Sequence, residues 1–220
     1  MKTDGEFRPL SLAELAKLEM AQLARERETT DPDPELWRWS PLELPEFARM
    51  LEVARSLAMD GLRRLTFMEA GSGIGTKLYV AHYHFGMTAV GYEINEDYIR
   101  QARELNVTTH QCDFRTESPA WDDGDIVYIA RPFKSDESDT VAPDKVEIAW
   151  EQSVHLAMRP GAVLIAAFAA VKPDWPCYYR RPFRGVWVKP GARSAPVYDA
   201  MISRRTDGSD PLVREPLSRP

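Results

Sequence analysis

From Leu65 onward the chain alternates short apolar runs with segments of helical periodicity, and no other feature restricts its fold so tightly. "LTFMEAG", "TAVGYEI", "VTTHQCD", "DIVYIA" and "AVLIAAFA" read as strands bounded by turn residues. Between the first two, Thr76 to Phe85 reads as a helix. Another helix opens at Asn95, an N-cap followed by Glu96 and Asp97 in the first turn, where acids suit the helix dipole. A third carries Val146, Ala149, Trp150, Ser153, Val154 and Ala157 on one face. "RGVWVKPG" and "APVYDAMIS" read as two further strands around the Pro190-Gly191 turn. Strands alternating with helices build an open sheet covered on both faces. The expected architecture is an α/β three-layer sandwich around a mostly parallel seven-stranded sheet.

Ahead of this core, Ser11 and Glu14 form a capping box, in which each side chain satisfies an orphan N–H at the helix start. Leu12, Leu15, Ala16, Met20 and Leu23 follow on one predicted helical face. A second helix is expected near Pro45, with Phe47, Met50, Leu51, Ala54 and Ala58 inward and Gly61 as its C-cap. Residues 1–45 are thus an N-terminal helical extension, residues 46–205 the main domain, and residues 206–220 a loose tail.

Composition removes several classes of function. A chain of 220 residues with 44% apolar content buries a core without staples. Its net charge of −6 argues against a broadly basic nucleic-acid binder. Cys112 and Cys177 are too few for a disulfide framework. "MKTDGEFRPL" lacks the apolar stretch of a signal peptide, and "AVLIAAFAAV" is too short to cross a bilayer. A soluble, cytoplasmic protein with no membrane partner is expected. His82 and His84 point apart on a helix, and His110 and His155 lack metal-type neighbours, so no metal site is expected.

"EAGSGIG" puts Gly71, Gly73 and Gly75 at the end of the first strand. A phosphate-binding G-x-x-x-x-G-K-[ST] loop would need glycine at Thr76 and a hydroxyl residue at Leu78. A dinucleotide G-x-G-x-x-G/A loop also fails at Thr76, or at Leu78 if counted from Gly73. "FMEAGSGIG" instead resembles motif I of the class I S-adenosylmethionine (SAM) methyltransferases, in which an acid stands two positions before a G-x-G-x-G turn. Glu93 in "VGYEIN", Asp113-Phe114 and "LAMRPGAVLI" resemble later motifs of that family, in the family's order. The resemblance covers roughly Phe47 to Ser203 and implies SAM as cofactor. It implies Glu69 near the ligand's cationic amino end, and Gly71, Ser72, Gly73 and Gly75 as bare backbone against it. It also implies Glu93 on the ribose hydroxyls with Ile94 beside it, Asp113 on the adenine amino group with Phe114 against the ring, and Ala130 at the end of the fourth strand as a further cofactor contact. An acid in the position of Glu93 serves dinucleotide folds too, so Glu93 alone does not discriminate. The bland reading of Glu93 and Asp113 is a pair of solvated strand-end acids.

In this family the segment after the fourth strand, here "IARPFKSDESDT", faces the methyl acceptor. Enzymes acting on amino groups of bases or on glutamine carry D/N-P-P-Y/F there. Ala130-Arg131-Pro132-Phe133 keeps Pro132-Phe133 but lacks the acid or amide, which speaks against those acceptors. Arg131 either greets an anionic acceptor or pairs with the acids of "SDESD". Pro176-Cys177 lacks the surroundings of a cytosine-attacking cysteine, and Cys177 reads as an unreactive buried thiol. From Lys172 onward ten basic residues face five acidic ones. "WPCYYRRPFRG" interleaves Tyr178 and Tyr179 with arginines, either to stack bases and grip phosphates or as a solvated loop over a sheet edge. A small molecule or a protein side chain is the favoured acceptor, with nucleic acid behind it. A SAM-binding module without catalysis is the other alternative. Trp37, Trp39 and the N-terminal helices precede the core, where this fold often carries a lid.

Overall fold

The computed structural model describes residues 9–28, 43–58, 63–130, 145–181 and 184–191. Seven strands form one sheet: β1 (Thr66–Ala70), β2 (Thr88–Glu93), β3 (Thr108–Gln111), β4 (Ile126–Ile129), β5 (Val163–Ala167), β6 (Cys177–Arg181) and β7 (Arg184–Val188). Their order is β3-β2-β1-β4-β5-β7-β6. Pairing is parallel from β3 through β5, and β7 is antiparallel to both β5 and β6. Strand β6 therefore runs with the first five, and β7 alone is reversed among the described strands. The order turns back between β1 and β4. At such a switch point the crevice beyond the carboxyl ends of the strands receives ligands.

The helices are α1 (Leu12–Glu28), α2 (Leu44–Ala58), α3 (Thr76–Tyr79), α4 (Glu96–Glu104) and α5 (Lys145–Ala157). A π-helical turn over Val80–His84 continues α3 and completes the helix expected to reach Phe85. On one face of the sheet, Phe67, Tyr128, Val163 and Ile165 pack against Phe47, Met50, Leu51 and Ala54 of α2 and Leu78 of α3. On the other, Met68, Val127, Ile129 and Leu164 pack against Trp121 and against Trp150 and Val154 of α5. The expected three layers are present. Asn95 caps α4 by accepting from the amides of Asp97 at 2.9 Å and Tyr98 at 3.4 Å. The Ser11–Glu14 capping box also forms, with Glu14 accepting from the Ser11 amide at 2.7 Å.

Three expectations change. The buried stripe of α1 is Leu15, Glu19 and Gln22, while Met20 is 61% exposed. In α5 the buried residues are Glu147, Trp150, Glu151, Val154 and His155, while Val146 is 55% exposed and Ala149, Ser153 and Ala157 face solvent. In α1 Leu15 is buried and Leu12, Ala16 and Leu23 are half-buried, so the expected face holds apart from Met20. In α5 only Trp150 and Val154 of the expected face are buried, because carboxylates occupy the rest of the stripe. The partner of β7 is "CYYRR" ahead of it, because an edge strand tolerates charges on its open sides. "APVYDAMIS", Gly61, Trp37, Trp39 and the expected tail at 206–220 lie outside the described residues.

Candidate functional site

The glycine turn begins where β1 ends. Gly71, Gly73 and Gly75 have φ of 67°, 52° and 81°, the left-handed region that favours glycine. Gly75 has a second reason to be bare: a Cβ there would lie 2.8 Å from Val107 and 3.0 Å from Ala102. The turn is held from β2. The amides of Gly71 and Ser72 donate to the Tyr92 carbonyl at 2.9 and 3.0 Å. Gly73 donates its amide to Glu93 Oε2 at 2.8 Å. Glu93 Oε1 accepts from the amides of Ile94 and Asn95, both at 2.9 Å. Burial raises the Glu93 pKa, and these backbone bonds oppose the rise. One side chain thus ties the glycine turn to the β2–α4 corner. Both lone pairs of Oε1 are taken by these amides, while Oε2 keeps one for a ligand hydroxyl.

Beneath the turn lies a buried polar group. Glu69 is 2% exposed and its Oε2 has no hydrogen-bond partner. Burial pushes its pKa up to about 8; Lys77 pulls it down, while Glu19 and Glu93 add to the rise. Tyr128, the register partner of Glu69 on β4, is likewise buried with an unpaired phenol. Burial holds the phenol well above its ordinary pKa, with Glu69 and Glu19 adding and Arg184 opposing. Ser72 Oγ is buried without a partner as well. Glu19 comes from α1: it accepts from Thr76 Oγ1 and stands 3.5 Å from Lys77 Nζ. Sequence reasoning missed Glu19 and Tyr128. The available signal for Glu19 was its spacing of four from Leu15, on a stripe continued by Gln22.

The remaining expected residues divide. Asp113 is half-buried and gripped by Arg115, whose Nε and Nη2 each lie 2.9 Å from one of its oxygens. That contact holds the Asp113 pKa low. The Phe114 ring lies 5.0 Å from Trp150 and 6.1 Å from Trp121, an apolar platform beside the end of β3. Ile94 and Ala130 are half-buried at the ends of β2 and β4. Tyr178 is half-buried on β6, and Tyr179 donates its hydroxyl to Glu46 of α2 at 2.6 Å. Arg184 stands 3.9 Å from the same carboxylate and 5.9 Å from the centre of the Phe168 ring. Phe168 follows β5 with φ of 57°, an outlier for a bulky residue. Arg131 and Phe133 lie outside the described residues. Cys177, expected to be buried, is exposed because it begins an edge strand. Among the described residues no cluster of three His, Cys, Asp or Glu side chains could hold a metal. His82 and His84 contact the carbonyls of Met87 and Leu10, which ties them to the scaffold.

A left-handed glycine turn above an orphaned, buried carboxylate oxygen suits a ligand with an ammonium group that lies against bare backbone. The unpaired Ser72 hydroxyl and Tyr128 phenol offer further polar partners. These residues fit SAM on chemical grounds.

Neither a family model nor a curated protein sequence matches the chain. Solved structures do. An RNA methyltransferase from Salinibacter ruber, in complex with S-adenosyl-L-homocysteine, matches with a TM-score of 0.50 and 21% identity, over 69% of this chain and 94% of that one. A TehB-like SAM-dependent methyltransferase from Corynebacterium glutamicum matches at 0.45 and 10% identity, over 81% and 97% of the two chains. An amino pentose methyltransferase from Micromonospora echinaspora, bound to SAM, matches at 0.44 and 16%, over 80% and 64%. At these identities the likeness is one of fold. The fold is that of the class I SAM-dependent methyltransferases, a seven-stranded sheet with its reversed strand near one edge.

Proposed function

We propose that the protein is a SAM-dependent methyltransferase whose acceptor is a small molecule or a protein side chain. The observation that carries this reading is Glu69 Oε2, buried and unpaired beneath the three left-handed glycines. When bound, SAM supplies a methyl group on a sulfonium, and displacement at that carbon needs alignment more than a dedicated base. The chain's own residues do the aligning. Gly71 to Gly75 present backbone, Glu69 takes the ammonium, Glu93 takes the ribose, and Asp113 with Phe114 borders the adenine. Beyond the ends of β4 and β5, Arg184, Glu46, Tyr179 and Phe168 form a polar and aromatic group suited to the acceptor.

Calorimetry with SAM and S-adenosylhomocysteine tests the donor half. Gly73→Arg fills the turn and Glu93→Ala unties it, and each is expected to weaken binding about a hundredfold. No binding by the natural chain at millimolar ligand would sink the reading. Transfer of labelled methyl to fractions of a cell extract then separates acceptor classes. Nucleic acid remains a second reading because Arg180 and Arg181 are exposed on the open edge strand β6. Label in RNA or DNA, with salt-dependent retention, would favour it. Ligand binding without transfer to any fraction would favour a silent SAM-binding module.

A further inference from the structure

α1 is fastened to the helix behind the glycine turn at two levels. At its start the Leu10 amide donates to the Tyr79 hydroxyl at 2.8 Å, and His84 Nε2 lies 2.8 Å from the Leu10 carbonyl. About two and a half turns later, Glu19 reaches Thr76 and Lys77, the first two residues of α3. Glu19 and Lys77 are each 4% exposed, so both charges are withdrawn from water. Burying a charge is costly unless it is paired, and this pair joins the N-terminal extension to the residues that follow Gly75.

The lysine is the telling member. A buried ammonium directly behind the turn opposes a ligand that itself carries a sulfonium. Glu19 offsets that charge, and its field extends to Glu69 and Tyr128. Lys77 and Glu19 thus act on Glu69 with opposite signs, and Glu93 adds to the effect of Glu19. Glu69 Oε2 and the Tyr128 phenol beside this pair are both unpaired and at most 2% exposed, two buried polar atoms for which a ligand would supply the partner.

We infer that α1 is part of the donor pocket, and that Glu19 makes this pocket prefer the sulfonium donor to its thioether product. The inference rests on the methyltransferase reading and goes beyond it, because it assigns a specificity role to a helix outside the common core. SAM and S-adenosylhomocysteine share adenosine, carboxylate and ammonium and differ by the methyl group and its positive charge. Their affinity ratio therefore isolates the electrostatic part of binding, and a purely structural role for Glu19 would leave the ratio unmoved.

The test is calorimetry with both ligands on the full chain, as wild type, Glu19→Gln, Lys77→Met and the double variant. Gln keeps the length of the side chain and its acceptor for Thr76. Glu19→Gln is expected to weaken SAM about tenfold while changing S-adenosylhomocysteine less than about twofold. Lys77→Met is expected to shift the ratio the other way, toward SAM, which keeps the inference exposed even if Glu19→Gln fails to fold. The double variant should return near the wild-type ratio. Equal losses for both ligands in Glu19→Gln, or a Lys77→Met ratio that stays put or falls, would overturn the inference while SAM binding by the wild type stands. Wild type that binds neither ligand overturns the methyltransferase reading, and this inference with it.

Discussion

Glu69 shows how one residue ties protonation to ligand binding. Its carboxyl is shifted from 4.5 to about 8 chiefly by burial. The charged groups that bear on it are Glu19 from α1, Lys77 from α3 and Glu93 from β2, with the Tyr128 phenol beside it on β4. Between the two pKa values the folded chain holds a proton that the unfolded chain has lost. This group's contribution to stability is therefore full at low pH and is lost as pH rises toward about 8. Ligand binding runs in the opposite sense, since an ammonium prefers the ionised carboxylate. SAM affinity is expected to rise about tenfold between roughly pH 6 and pH 7, because the free site is protonated there and each binding event displaces one proton. Glu69→Gln should bind more weakly and flatten that slope. Calorimetry in buffers of different ionisation enthalpy would detect the released proton, and an unsloped wild-type affinity would refute the assignment.

At the scale of elements, legibility depended on what each buried face is made of. The strands of the core are continuous apolar runs, and the glycine turn and Asn95 cap are fixed by local chemistry, so all were readable. The inward face of α1 was legible apart from Met20 and Glu19, and that of α5 only at Trp150 and Val154, because both stripes contain carboxylates that work. Glu19 holds α3, and Glu151 of α5 accepts from the amides of Ala170 at 3.0 Å and Val171 at 2.7 Å, where the chain leaves β5. A period count scores such residues as solvent-facing, since only their partners reveal their use. β6 was hidden for a related reason: at an open edge "CYYRR" need not alternate or be apolar. Its placement carries a chemical consequence. Cys177 is exposed, whereas Cys112, at the end of β3, is buried with its thiol pushed up to about 11. An aromatic disulfide reagent is expected to titrate one thiol in the native protein and a second only in denaturant. Although Cys177 is exposed, the protein around its thiol partly desolvates it and raises its pKa, so it should react more slowly than a free cysteine. Two equivalents reacting at once in the native state would show that Cys112 is open to solvent at the end of β3.

Across the whole molecule, ligand and scaffold chemistry sit at opposite ends of the same strands. The glycine turn, Glu93 and Asp113 follow the carboxyl ends of β1, β2 and β3. At the amino ends, Asp125 is 1% exposed and accepts from the Thr66 amide at 2.8 Å and Arg63 Nη1 at 2.9 Å, and it also pairs with Arg159. This one carboxylate gathers the start of β1, the start of β4 and the chain entering β5. Nothing in "DDGDIVYIA" marks Asp125 from its neighbours, because its partners are distant in sequence and meet only through the sheet order. Its arginines are half-exposed, so solvent screens part of their attraction. Asp125→Ala is therefore expected to cost about 2–3 kcal/mol, by orphaning the part-buried Thr66 amide and releasing two arginines at once. For a chain of 220 residues that corresponds to a fall of roughly 5–10 °C in melting temperature. Below the transition, SAM affinity should stay within about twofold of wild type, since sites this far apart behave additively. A melting temperature unchanged by the substitution would show that water replaces the knot at no net loss. A large loss of SAM affinity without unfolding would mean that the amino ends of the strands set the geometry of the glycine turn.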